Sequence, residues 1–173
     1  SYPPHATLAL LVNGAMIRLR LNPALDPTAF ARQYANAKCV QIPNLFEDEI
    51  ADALERVLMG LPWQLICQNE FRENVLLTQE QLRLMSPEAR KQLEEGIRQR
   101  AAENFGFTYF TYPMIEAAHA GRDPQHPIHA LTAFLNSPEF ISFAGAIIGH
   151  PNITKIDAHA TNYVRGHFLT RHI

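Results

Sequence analysis

The stretch "ITKIDAHATNYVRGHFLTRHI", residues 153–173, decides how the chain is read. Its β-branched and aromatic residues mark an extended segment, and Gly166 separates that segment from a second extended piece, "HFLTRHI". Two successive extended pieces after a largely helical middle point to the α+β class. Helices would then brace one face of an antiparallel sheet.

Outward from that stretch, the helix signals are strong. Ser137-Pro138 caps a helix through "EFISFAGAII" that Gly149 closes, and Ile128 to Leu135 forms a short helix before it. Ser86-Pro87 opens "EARKQLEEGIRQRAAENF", whose dense charge of both signs marks a solvated outer face. Asp26-Pro27 starts a short helix over "TAFARQYANAK", followed by an extended "CVQIP". Asn44, three residues before Glu47, is expected to cap a helix that ends by Gly60 and carries Leu45, Ile50, Leu54, Val57 and Leu58. "EAAHAGRDPQHP", residues 116–127, is expected to be an exposed loop.

Strand signals lie between these helices. In "LPWQLICQN" the apolar Trp63, Leu65 and Cys67 recur every second residue, and "ENVLLT" follows as a further strand. "FGFTYFTYPM" puts Phe107, Tyr109 and Thr111 on one face and Thr108, Phe110 and Tyr112 on the other. Near the start, Asn13-Gly14 breaks "ATLALLVNGAMI" and suits a two-residue hairpin turn with positive φ at both positions. With no internal repeat or linker, one domain over 1–173 is expected: helical support with early strands over 1–150, then 151–173 as the start of the main sheet.

Composition narrows the function classes. The 173 residues are 47% hydrophobic and 18% charged, an ordinary globular balance. A formal net charge of -2 leaves no basic excess for nucleic acid. The apolar stretch near the start is too short for a membrane span, so no membrane partner is expected. Cys39 and Cys67 have no metal-type spacing and form no disulfide framework, which fits a reducing, cytoplasmic setting.

The chemistry candidates are few. No GxSxG elbow and no phosphate-binding glycine motif occurs. The carboxylate pairs Asp48-Glu49 and Glu94-Glu95 sit on expected helix surfaces, where solvation is the default. Histidine stands out, with His150, His159, His167 and His172 in one short window. No HExxH is present, and His167 and His172, five apart on a strand, would point to opposite faces.

The segment "TNYVRGHFLTRHI" resembles the one that introduces the first iron ligand in 2-oxoglutarate- and Fe(II)-dependent oxygenases of the prolyl 4-hydroxylase type. In that family a tyrosine, a glycine turn, an aromatic-aliphatic pair and H-x-D occur in this order. "VQIPNLFEDEIADAL", "LPWQLICQN", "FTYFTYPM" and "LTAFLNSPEF" are similar, in the expected order, to its branch related to the ribosomal-protein prolyl hydroxylases. The likeness runs from about Leu21 to the end.

The resemblance implies a double-stranded β-helix of the jelly-roll, cupin-like kind, carried here as far as the first metal-ligand strand. It makes His172 that first iron ligand, with an aspartate expected after Ile173 and a distal histidine and an arginine beyond. Residues two apart on a strand share a face, so H-x-D suits a facial site that leaves three iron positions open. Tyr163 matches the tyrosine lining the 2-oxoglutarate pocket, with sheet packing as its alternative role, and Leu169 matches an apolar wall position. Gly166 serves the turn and Phe168 the core, while Arg165, Arg171 and His167 lie around the mouth or on a solvated surface.

The implied activity is hydroxylation of a C–H bond, with a prolyl residue of a protein or peptide favoured over a small molecule. It is coupled to oxidative decarboxylation of 2-oxoglutarate, with Fe(II) as cofactor and ascorbate as an accessory reductant. Two rivals stand beside it: an inactive binding module of the same fold, and a structural zinc protein using the terminal histidines.

Overall fold

A computed structural model describes residues 8–171. The first half of the chain contains β1 (Ala9–Val12), β2 (Ala15–Arg18), α1 (Pro27–Ala37), α2 (Asp48–Met59), β3 (Gln64–Gln68), β4 (Asn74–Leu77) and α3 (Gln79–Leu84). The second half contains α4 (Pro87–Glu103), β5 (Phe107–Pro113), α5 (Met114–His119), α6 (Ile128–Leu135), α7 (Pro138–Ile148), β6 (His159–Asn162) and β7 (Phe168–Leu169). The class is α+β, with antiparallel strand pairing throughout the described ladders. Two compact units share the chain: Ser1–Gly60 with Met114–Ala158, and Leu61–Pro113 with His159–Ile173.

The first unit is mainly helical. Its β1–β2 hairpin turns on Asn13 and Gly14, at φ 51° and 79°, as the Asn-Gly pair requires. Asp26 accepts a hydrogen bond from the Thr28 backbone N–H at 2.9 Å, and Ser137 accepts one from Phe140 at 3.3 Å. These side chains satisfy N–H groups that the starts of α1 and α7 leave open, and Pro27 and Pro138 take first positions where no donor is needed. The core gathers Leu10, Leu19, Ile128, Thr132 and Phe134, all at most 1% exposed. Phe134 packs its ring against Phe46 and Phe140 at centroid distances of 5.6 and 5.9 Å.

Asn136 fixes the extended run after α7. Its side-chain amide donates to the Ile156 carbonyl at 3.1 Å, and its side-chain oxygen accepts from the Ile156 N–H at 2.9 Å. One side chain thus replaces a neighbouring strand.

Two sequence expectations are corrected. Asn44 does not cap α2: its backbone is left-handed at φ 53°, and the helix begins at Asp48 with Glu47 as N-cap. Asn44 instead presents its carbonyl to the Asn22 side-chain amide at 3.0 Å. Its φ suits a turn, a conformation Asn tolerates. Residues 116–127 are not wholly an exposed loop, because α5 runs into them as far as His119 and buries Ala117. The turn that follows is braced by His129, whose Nε2 lies 2.8 and 3.1 Å from the Arg122 and Asp123 carbonyls. The segment after β4, for which the sequence reading named no element, carries a further helix, α3, opened by a reciprocal capping box between Thr78 and Gln81.

The second unit is a sheet with helices α3 and α4. Its strand order is β4-β3-β5-β6, with β7 also pairing β5. Leu65 and Cys67 of β3 lie in register with Phe110 and Thr108 of β5, so these four share one face. Gly106 marks the close approach of α4 to the sheet, since a Cβ there would stand 2.6 Å from that of Ala101.

No single helix among the described residues is long and apolar enough to cross a membrane.

Candidate functional site

The last two strands lie along one edge of β5. Asn162 pairs with Phe110 and Phe168 with Thr108, so five residues, Tyr163 to His167, stand opposite the single residue Tyr109. β6 and β7 are therefore one strand line interrupted by a wide bulge, a device that bends a strand and re-aims its side chains. A turn closes the bulge: the His167 N–H donates to the Val164 carbonyl at 2.9 Å, and Gly166 takes φ 91°. Glycine is favoured at that angle because it has no Cβ. Beyond β7, the Thr170 N–H donates to the Gly106 carbonyl at 3.0 Å, while the Thr170 hydroxyl accepts from the Gly106 N–H at 2.9 Å.

The bulge delivers side chains to both faces. On one face Tyr163 stacks on Tyr109, with centroids 4.9 Å apart and planes 24° apart. The row continues through Phe107 and Phe105 at 5.9 and 5.6 Å. Leu169 is in register with Phe107 and shares this face. Tyr163 and Leu169 are thus brought to one side of the sheet, 49% and 43% exposed. Partial desolvation, with a smaller push from the Tyr109 hydroxyl, raises the Tyr163 pKa, so the phenol keeps its proton as a donor at neutral pH. His172 lies outside the described residues.

On the opposite face is a cavity of about 490 Å³. Its apolar lining includes Leu65, Leu93, Ile97, Phe110 and Phe168, drawn from β3, α4, β5 and β7. Around these stand Arg83, Arg90, Arg98 and Arg165, with His167 from the bulge. Glu94 is the one carboxylate in the lining and pairs with Arg98 at 3.7 Å. His167 sets its ring edge-on to Phe110 at 4.9 Å, with Nδ1 facing the Val164 N–H at 3.4 Å. Nε2 is then the ring's donor.

Sequence reading missed Arg83, Arg90 and Arg98. The mixed charge of α4 was legible only as a solvated surface. The one available signal was the T-x-x-Q capping box over residues 78–81, which announces α3 and brings Arg83 to the cavity. The histidine window disperses, with His150 in the first unit and His159 and His167 in the second. Among the described residues no three His, Cys, Asp or Glu side chains are grouped to hold a metal ion.

Buried Cys67 lies on the cavity-side face. Burial pushes its thiol pKa up, and the positive charge of Arg100 offsets this only in part. It suits a packing role rather than a nucleophile. No family model matches the chain, and neither a curated protein nor a solved structure matches it.

Proposed function

We propose that this chain carries the cosubstrate side of a 2-oxoglutarate- and Fe(II)-dependent oxygenase, built on a double-stranded β-helix and acting on a prolyl residue of a protein. The observation that carries this reading is the shared face of Tyr163 and Leu169 on an antiparallel sheet, nine and three residues before His172 in the sequence. A protonated phenol beside an apolar wall suits a carboxylate that must be held by hydrogen bonding and screened from water. These residues fit the cosubstrate. The described residues include no complete iron donor set, so His172 and ligands beyond Ile173 would have to supply it.

In this reading Fe(II), when bound, supplies oxygen activation coupled to 2-oxoglutarate decarboxylation. The chain's own residues orient and shield. Tyr163 donates to a cosubstrate carboxylate, Leu169 excludes water beside it, and the Gly166 turn lets the strand line resume after the bulge. The aromatic row from Tyr163 to Phe105 gives an apolar bed beside the site.

The test is calorimetry on the full-length protein with Mn(II) in place of Fe(II). Tight Mn(II) binding that 2-oxoglutarate strengthens supports the oxygenase. Mn(II) binding without that coupling, or none, supports an inactive module of the same fold. Tyr163→Phe should weaken 2-oxoglutarate binding by about 1 kcal/mol, the net worth of one hydrogen bond. Unchanged affinity would return Tyr163 to sheet packing.

A further inference from the structure

The cavity lies on the far side of the sheet from Tyr163 and Leu169; Arg165 and His167, given by the resemblance to the mouth of the site or to a solvated surface, line it, and its composition is unusual for this chain. Four of the 15 lysines and arginines line it, against one of the 17 acidic residues, in a protein whose net charge is -2. Those arginines come from three separate segments: Arg83 on α3, Arg90 and Arg98 on α4, and Arg165 at the bulge. Only folding brings them together.

Two of them are uncommitted. Neither the Arg83 nor the Arg165 side chain has a hydrogen-bond or ion-pair partner among the described residues. Arg90 donates to the Leu82 carbonyl, a neutral partner that leaves its charge uncompensated. Only Arg98 faces a carboxylate, Glu94. Guanidinium groups around an apolar hollow repel one another unless an anion sits between them, and their planar forks match carboxylate and phosphate oxygens.

The volume of about 490 Å³ lies within the range of about 300–1,000 Å³ typical of small-molecule pockets. Leu65, Leu93, Ile97, Phe110 and Phe168 offer an apolar body somewhere to pack. We propose that this cavity binds a small amphipathic organic anion, with its carboxylate or phosphate head on Arg83 and Arg165 and its apolar body against α4 and the sheet. His167, whose Nδ1 faces the Val164 N–H, offers Nε2 as a further donor for the head. The two head chemistries share this arrangement, and the experiment separates them.

The test titrates the protein with decanoate, decyl phosphate, decyltrimethylammonium and inorganic phosphate by calorimetry, with methyl NMR shifts of Leu93 and Ile97 locating the ligand. At least one decyl anion should bind about tenfold or more tighter than decyltrimethylammonium, shift both methyl sets, and weaken as salt is raised. Whichever anion binds tighter identifies the head. The exposed double variant Arg83→Gln/Arg165→Gln should lose about tenfold or more in anion affinity, the equivalent of at least one charge-assisted hydrogen bond. Its Leu93 and Ile97 shifts without ligand check that the fold is kept. Three results would overturn the proposal: equal binding of the cationic and anionic decyl compounds, inorganic phosphate binding as tightly as decyl phosphate, or unchanged anion affinity in the double variant. These readouts use neither Tyr163 nor Leu169, so unchanged 2-oxoglutarate affinity in Tyr163→Phe, which would count against the oxygenase reading, leaves them standing.

Discussion

Gly106 is the position where the second unit should tolerate a side chain least. Gly106→Ala would place Cβ 2.6 Å from the Ala101 Cβ and 2.9 Å from its Cα, where carbon atoms at ease sit about 3.5–4.0 Å apart. The obstacle is helix backbone, so α4 and the start of β5 must separate by about 1 Å, a shift typical of overpacking that costs about 1–3 kcal/mol. The same shift strains the reciprocal bonds between Gly106 and Thr170, each worth about 0.5–1.5 kcal/mol. A total of about 2–4 kcal/mol follows.

Trp63, the only tryptophan, lies in this unit, so its fluorescence in a urea titration reads the unit's unfolding. Thr170→Val alone removes the hydroxyl acceptor and should cost about 1 kcal/mol. If Gly106→Ala acts by moving the strand away from Thr170, the double variant should be little worse than Gly106→Ala alone, with about 1 kcal/mol of coupling. A loss below about 0.5 kcal/mol for Gly106→Ala, or full additivity with Thr170→Val, would refute the argument.

Two further outcomes are expected. Asn136→Ala leaves both the N–H and the carbonyl of Ile156 without their side-chain partner and should destabilise the first unit by about 1–3 kcal/mol, read by circular dichroism during thermal unfolding; a change near zero would show that water replaces the clamp at no cost. Exposed Cys39 should react at once with a thiol reagent in native protein while buried Cys67 reacts only on unfolding; because folding raises the Cys67 pKa, stability should fall as pH climbs past the ordinary thiol value of about 8.5, and Cys67→Ala should flatten that part of the profile.

The legible parts of the fold are those written in neighbouring residues. Asp26-Pro27, Ser86-Pro87 and Ser137-Pro138 each open a helix, because a capping oxygen and a donor-free proline act within one turn. Asn13-Gly14 makes its hairpin for the same local reason. At Asn44 the capping pattern is present, but a left-handed backbone places the chain in a turn instead. Helices α3 and α5 have six residues each, too few for a helical period to emerge.

The site divides in the same way. Alternation along 107–112 foretold which side chains share a face, and that face is where Tyr163 and Leu169 are found together. The bulge opposite Tyr109 was hidden, because it depends on which residues of β5 the returning strand pairs with. The arginine-rimmed cavity was hidden too: Arg83, Arg90, Arg98 and Arg165 each look like solvated charges until α3, α4 and the bulge converge.

The central claim is that the strand line through Tyr163 and Leu169 leads to an iron ligand at His172. Its most direct test is succinate formation from 2-oxoglutarate by the full-length protein supplied with Fe(II), compared between wild type and His172→Ala at matched helical content by circular dichroism. The account predicts succinate from the wild type and none above background from His172→Ala. Equal succinate from both proteins, or none from the wild type, would contradict it.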